Sequence, residues 1–104
     1  MSMIEYSVRA TFPDPAMIQP YLDWLTGGHI QEVIEGGALC GHAVLQTDPP
    51  APIVVSRYRF PSIAAYETYV AQTAPRLRAD GLARFGPQTG IAMERTLGAV
   101  HEPN

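Results

Sequence analysis

The chain has 104 residues, 46% of them hydrophobic and 16% charged, which is typical of a globular protein and predicts a single domain over residues 1–104. The formal net charge is −3 and the seven basic residues are dispersed arginines, so the sequence lacks the basic patch that nucleic-acid binding requires. One cysteine, no secretory signal and no membrane-spanning apolar run indicate a protein of the reducing cytoplasm without a membrane partner.

The N-terminal segment MIEYSVRATF alternates apolar and polar residues. This alternation predicts a β-strand with one apolar face, because successive side chains of a strand point to opposite sides. The apolar face carries Ile4, Tyr6, Val8, Ala10 and Phe12. The sequence PDP follows and is expected to end the strand.

The apolar residues at 18–25 recur at helical spacing and predict an amphipathic helix. The pair Gly27–Gly28 is expected to stop or kink this helix. Residues 30–34 supply one more helical turn, which Gly36–Gly37 closes. The segment is therefore one helix in two parts with a break near its middle.

Two strands are predicted next, ALCGHAVLQT (38–47) and IVVSRYRF (53–60), and their adjacency favours an antiparallel hairpin. The prolines of the DPPAP turn between them are expected to block strand pairing. A helix follows, with Ser62 as its N-cap. PRLRADGLARFG (75–86) predicts further helix, interrupted at Gly81, and QTGIAMERTL (88–97) is the last strand.

The resulting order, β-α-β-β-α-β, is that of the ferredoxin-like α+β fold, a four-stranded antiparallel sheet with its helices on one face. The other face of the sheet would mix aliphatic groups with both signs of charge. Such a face is either solvated or forms a self-complementary patch, in which Glu5 or Glu94 of one copy meets an arginine of a second copy. The pattern leaves both alternatives open.

Three stretches, YLDWLTGGHIQEV, RYRFPSIAAYETYV and APRLRADGLARFG, resemble an uncharacterised, domain-of-unknown-function family of small bacterial proteins within the dimeric α+β barrel superfamily. The likeness extends from Tyr6 to about Leu97, and its more specific parts are the Trp24–His29 pair and residues 74–78. The resemblance implies ferredoxin-like protomers whose open sheet faces pack together in a homodimer. Relatives in the wider superfamily include cofactor-free monooxygenases, polyketide cyclases, haem-degrading and isomerising enzymes, and they commonly use a cleft between sheet and helices.

His29 is the predicted acid–base residue, because an imidazole near pH 7 can both accept and donate a proton. The alternative is a structural role at the end of the preceding helix. The sequence departs from the resembled pattern at Gly27–Gly28 and Pro20, which could shift His29 relative to a cleft. Tyr6 is the second predicted catalytic residue, and its hydroxyl needs a partner, which could be His29, a ligand or a backbone carbonyl.

Five further residues are predicted to contact a substrate, four aromatic and one cationic: Trp24, Tyr58, Tyr66, Arg76 and Phe85. Trp24 could form an aromatic wall, although a tryptophan on an amphipathic helix also packs onto a sheet, and packing is the alternative for Tyr66 as well. One of Arg76, Arg78 and Arg84 could clamp a carboxylate, the alternative being a solvated helix face.

Arg76 also lies at a helix start, where a cation opposes the helix dipole. This misfit indicates a specific anionic partner for Arg76, either Glu32, Glu35 or a substrate anion. No metal and no cofactor are predicted. His29, Glu32 and Glu35 have a loosely metal-like spacing, but the other histidines lie on a different strand and in the tail, and no glycine-rich loop joins a strand to a helix. Cys40 has no activating base beside it in sequence and is expected to be inert.

Two functions remain open. The first is a homodimer that binds a small, partly apolar or aromatic molecule between helices and sheet and, as an enzyme, catalyses cofactor-independent cyclase, isomerase or monooxygenase chemistry. The second is a non-catalytic dimeric structural or protein-interaction module. The first requires His29 and at least one tyrosine or arginine in a common cavity of roughly a few hundred Å³. The second requires a packed interior with His29 bonded to backbone.

Overall fold

The computed structural model describes residues 2–47 and 50–103. Its strands and α-helices are β1 (Ile4–Thr11), α1 (Ile18–Trp24), α2 (Ile30–Glu35), β2 (Cys40–Thr47), β3 (Pro50–Phe60), α3 (Ile63–Gln72), α4 (Ala74–Phe85) and β4 (Ala92–Ala99). A π-helical segment, Leu25–His29, joins α1 to α2, and short 3-10 turns at Pro15–Met17 and Pro87–Thr89 precede α1 and β4. None of the helices in the described part of the chain is long and apolar enough to cross a membrane.

The four strands form one antiparallel sheet in the order β2-β3-β1-β4. Tyr6 of β1 lies opposite Tyr58 of β3 and opposite Leu97 of β4. Because residues opposite each other in a sheet point to the same face, these three side chains share the helix-covered face. The ferredoxin-like α+β fold predicted from the alternating strands is therefore confirmed.

The core lies between the sheet and the helices and consists of two clusters. One cluster joins Tyr6 and Tyr58 of the sheet to helix residues such as Tyr69 and Leu77. The other cluster packs α1 and the π-helical segment onto the sheet residues Ala10, Phe12 and Val54, with Ile91 beside them. The predicted apolar face of β1 is thus the face that the helices cover.

The glycine pair breaks the first helical segment as expected. Gly28 has φ +159° and ψ −31°, a conformation that residues with a Cβ rarely adopt. The helix continues as α2 after the π-helical segment and ends before Gly36. The predicted N-cap of α3 is also confirmed, since the Ser62 hydroxyl accepts a hydrogen bond from the Ala65 N–H at 3.1 Å.

The predicted interruption at Gly81 is wrong, because α4 is continuous from Ala74 to Phe85. A glycine inside a helix costs about 1 kcal/mol relative to alanine, which packing can offset, so it does not by itself end a helix. The close packing of Trp24 favours a glycine at position 81, because a Cβ there would lie 3.3 Å from the Trp24 ring. Gly81 lets α1 and α4 approach each other closely.

The boundaries of β3 and β4 differ most from expectation. Asp48 and Pro49 of the predicted turn lie outside the described residues, but β3 already begins at Pro50 and pairs with Thr47. A proline can still take part in strand pairing through its carbonyl oxygen, because it lacks only the backbone N–H donor. The Pro52 carbonyl accepts a hydrogen bond from the Phe12 N–H at 2.8 Å. β4 begins at Ala92 rather than residue 88, because the preceding residues form a 3-10 turn, and it extends to Ala99.

Candidate functional site

A cleft lies between the two core clusters, with the sheet on one side and α1, the π-helical segment and α4 on the other. Its mouth opens between α4 and the edge strand β4, because Leu82 of α4 and Arg95 of β4 both line the cleft and are both exposed. The enclosed volume of the cleft is about 60 Å³, and the total empty space is about 550 Å³ when the open mouth is included. The inner part therefore has room for only about two waters, at about 30 Å³ each.

The inner part of the cleft is smaller than the few hundred Å³ that the small-molecule hypothesis anticipated, and such a volume is reached only with the mouth included. It nevertheless brings the required residue types together, since His29, Tyr6, Arg78 and Arg95 all line it. The enclosed volume of about 60 Å³ is less than half of the cavity of about 150 Å³ that holds benzene, so an aromatic ring would be only partly enclosed. A larger ligand would extend through the mouth.

The His29 ring stacks on the Trp24 ring, with centroids 4.1 Å apart and an interplanar angle of 24°. The π-helical segment produces this contact by adding His29 at its end, five residues after Trp24. The side chain of His29 does not cap α2. Burial lowers the pKa of His29 below its usual value, against the opposing influence of Glu32 and Asp80. The imidazole is therefore neutral near pH 7 and able to accept a proton.

Trp24 is itself held from the solvent side. Its indole Nε1 donates to Asp80 Oδ2 at 3.1 Å, and Arg84 Nε donates to Asp80 Oδ1 at 3.2 Å. These two hydrogen bonds, with that from Trp24 the larger influence, lower the pKa of Asp80. Gly81 lies directly against the indole ring. The wall formed by Trp24 and His29 is thus anchored to α4.

The Tyr6 hydroxyl accepts a hydrogen bond from Arg95 Nε at 3.1 Å. Arg95 therefore takes the place that was expected for His29, and no hydrogen bond joins Tyr6 to His29 among residues 2–47 and 50–103. Tyr6 also packs against Tyr58, with ring centroids 5.9 Å apart. The two predicted catalytic residues thus share the cleft but do not form a hydrogen-bonded pair.

Two polar groups of the cleft are buried without a hydrogen-bond partner within the described part of the chain, the Tyr58 hydroxyl and Arg78 Nε. Tyr58 is 1% exposed, and burial raises its pKa, so the hydroxyl keeps its proton. Ser56, the other hydroxyl in this region of the sheet, is oriented toward the Val8 carbonyl at 3.5 Å. The Tyr58 hydroxyl and the Nε–H of Arg78 are thus donors without an acceptor among residues 2–47 and 50–103, while the guanidinium of Arg78 also lies beside the hydroxyls of Tyr6 and Tyr66.

Five of the seven predicted site residues line the cleft: Tyr6, Trp24, His29, Tyr58 and Phe85. Tyr66 lies next to it and packs on Tyr6 and Phe60, with centroids 5.2 and 5.4 Å apart. Arg76 does not line the cleft, because its guanidinium donates to Glu32 at 2.8 Å, one of the anionic partners that the sequence indicated. No three potential metal ligands converge among the residues that the structure describes.

Arg95 is the main residue that the sequence analysis missed. The signal was present, because Ile91, Met93, Arg95 and Leu97 alternate along the last strand and place an arginine on the helix-facing side. Arg78 was considered only as a general carboxylate clamp on a helix. Its neighbours in the cleft follow from the packing of α4 on the sheet, which sequence spacing does not give.

A four-stranded antiparallel sheet with an aromatic cleft beneath one layer of helices defines a ferredoxin-like protein with the fold of the dimeric α+β barrels. The chain belongs to the family described as "Domain of unknown function (DUF4286)", whose model matches residues 3–99. A comparison with curated protein sequences found no match.

Solved structures with the same fold cover almost the whole chain. A dimeric ferredoxin-like protein from an uncultured marine organism is 13% identical with a TM-score of 0.73, covering 100% of both chains. The monooxygenase from the gene ActVA-Orf6 of Streptomyces coelicolor, solved with nanaomycin D, is 16% identical with a TM-score of 0.72, covering 99% of this chain and 91% of that one. SnoaB, a cofactor-independent oxygenase from Streptomyces nogalater, is 13% identical with a TM-score of 0.68, covering 99% and 97%. At such identities the likeness establishes the fold alone.

Proposed function

We propose that this protein binds a small aromatic or partly apolar molecule in the cleft and that His29 exchanges a proton with it in a cofactor-independent reaction. The observation that supports this proposal is the stacking of a neutral imidazole on Trp24 in the same cleft as the Tyr6 hydroxyl. Aromatic walls with a few polar groups are typical of small-molecule sites.

The proposed step is the transfer of a proton from an acidic C–H or O–H group of the ligand to a nitrogen of His29. The electron pair stays on the ligand and, in an enolate, is located largely on oxygen, where a tyrosine hydroxyl such as that of Tyr6 can donate a hydrogen bond. Cyclases and isomerases begin with this step, and a cofactor-free oxygenase adds molecular oxygen to the resulting anion. The oxygenases among the solved structures are compatible with this proposal through their fold.

We further propose that two copies associate through the open face of the sheet. That face combines the 39% exposed Val44 with the half-buried Val55 and the exposed Arg57. Two solved neighbours are described as dimeric ferredoxin-like proteins, which supports the same arrangement here. The single exposed thiol of Cys40 suits a reducing compartment, so we assign the homodimer to the cytoplasm.

The test is a thermal-shift screen of aromatic acids and polyketide-like compounds against the wild-type protein and His29→Gln. We expect at least one compound to raise the melting temperature of both proteins and to be converted only by the wild type. If a bound compound is converted equally fast by His29→Gln, the assigned role of His29 is wrong. If no compound raises the melting temperature, the non-catalytic module is the better description.

A further inference from the structure

Several hydrogen-bond donors line the cleft. The Tyr58 hydroxyl and Arg78 Nε are buried, and neither has an acceptor among residues 2–47 and 50–103. The Tyr6 oxygen already accepts from Arg95 Nε, so its remaining capacity includes its own proton. Arg78 lies beside the same Tyr6 hydroxyl. A ligand that satisfies these groups must supply acceptors.

The charged groups that line the cleft likewise favour an anionic ligand. Three arginines form ion pairs with carboxylates, namely Arg59, Arg76 and Arg84. Within the described ranges, Arg78 and Arg95 have no carboxylate within 4.0 Å, and no aspartate or glutamate lines the cleft. Arginine cannot lose its proton in a protein, so the half-buried Arg78 and the exposed Arg95 both keep their charge.

The buried Nε–H of Arg78 is energetically costly as long as it has no hydrogen-bond acceptor. The chain has ten acidic residues against seven basic ones, so acids are plentiful, yet the cleft contains none. A missing internal counter-ion is expected where the ligand itself provides the negative charge. Guanidinium groups match the planar geometry of a carboxylate particularly well.

We propose that Arg78 and Arg95, together with the hydroxyls of Tyr6 and Tyr58, form an oxyanion subsite, and that the ligand of this protein is an aromatic carboxylate. This inference rests on the proposed function and names its ligand class. The acid group lies at the arginines, and the ring packs toward Trp24 and the other aromatic side chains of the cleft. Benzoate is a suitable probe because it is a small aromatic carboxylate, and part of its ring would extend from the enclosed space into the open mouth of the cleft.

The experiment compares benzoate with benzamide, which has the same shape without the charge, by calorimetric titration of the full-length protein. We expect benzoate to bind about tenfold more tightly than benzamide, the scale of a hydrogen bond to a charged group. In Arg78→Gln and Arg95→Gln the preference should fall below about threefold, while the benzamide affinity changes little. Arg76→Gln is the matched control on α4, because Arg76 pairs with Glu32 and does not line the cleft, and it should keep the preference.

Tyr58→Phe provides a variant whose folding is not at risk. Its hydroxyl is buried without a partner, so removing it should leave the melting temperature unchanged or raise it, while benzoate binding weakens severalfold. A merely structural hydroxyl would instead show a lower melting temperature with unchanged benzoate affinity.

The outcomes separate the two proposals. Equal affinity for benzoate and benzamide in the wild type overturns the oxyanion subsite and leaves the small-molecule site standing. An acid preference that survives both arginine variants also overturns the subsite. Failure of both probes, together with a blank screen of larger aromatic compounds, overturns the proposed function and the subsite with it.

Discussion

The imidazole of His29 lies flat against the indole of Trp24, at a centroid distance of 4.1 Å. Trp24 in turn is tied to Asp80 on α4 by a hydrogen bond of 3.1 Å. His29 is therefore held by an aromatic neighbour and does not cap the helix that follows it. Its ring nitrogens remain available for a ligand, and the consequences can be measured separately for stability, pH dependence and binding.

Replacement of His29 by glutamine should barely affect folding. Because the side chain makes no cap, we expect the free energy of unfolding to fall by less than about 1 kcal/mol, or a few degrees in melting temperature. Calorimetric unfolding measures this change. A loss of roughly 2 kcal/mol, the scale of a lost cap or buried hydrogen bond, would instead assign His29 to structure. His101→Gln, at an exposed position of the tail, is the control.

The pH dependence of stability should identify His29 as well. Burial lowers its pKa in the folded state, so between the unfolded value and the folded value the unfolded chain binds more protons. Stability is then unaffected above about pH 6.5 and decreases as the pH falls toward the folded pKa, by at most about 1.4 kcal/mol per pH unit.

Denaturant unfolding of the wild type and of His29→Gln between about pH 7.5 and pH 5 tests this sign. The wild type should lose more stability than the variant as the pH falls. His42 and His101 are exposed and present in both proteins, so their contributions cancel in the difference. The expected direction would be contradicted if the unfolding free energies of the two proteins changed equally with pH. It would also be contradicted if the wild type became more stable than the variant on acidification.

Local patterns in the sequence predicted the strands and the fold, but the composition of the cleft required the tertiary arrangement. The alternation around Tyr6 and the cap at Ser62 depend on near neighbours and were predicted correctly. The hydrogen bond from Arg95 to Tyr6 joins residues 89 positions apart, and it exists because β1 and β4 are adjacent in the sheet. The sequence similarly does not reveal that Gly81 makes room for Trp24, so a glycine inside a helix was interpreted as a break.

Substitution of Gly81 by alanine should displace Trp24. The new Cβ would lie 3.3 Å from the indole, closer than is comfortable, so the ring must shift by a few tenths of an ångström. The gain in helix propensity, about 1 kcal/mol, offsets the strain, so the net change in unfolding free energy should stay below about 1 kcal/mol. The emission of the single tryptophan should change, and ligand affinity should drop.

Gly27→Ala is the matched control for this substitution. A Cβ at position 27 meets nothing within 4 Å, so the emission of Trp24 should stay as in the wild type. Identical spectra for the wild type and Gly81→Ala would show that the ring has more freedom than this packing implies.

The open sheet face can be tested by sedimentation. At micromolar concentration we expect a species of twice the 11.3 kDa chain mass. Val55→Lys places a charge at the centre of that face and should shift the population to the single chain, whereas Ala64→Lys, at an exposed position of α3, should not. A wild type that sediments only at 11.3 kDa would rule out the dimer.

The position of β4 at the edge of the sheet determines how a ligand would enter and leave the cleft. The exposed Leu82 of α4 and the exposed Arg95 of β4 line the cleft, so its opening lies between α4 and this edge strand, on the helix-covered side of the sheet. A second copy bound to the open face of the sheet would not cover the mouth of the cleft. The two copies of a dimer would then bind and release ligand independently, with one ligand per chain and a Hill coefficient of about one.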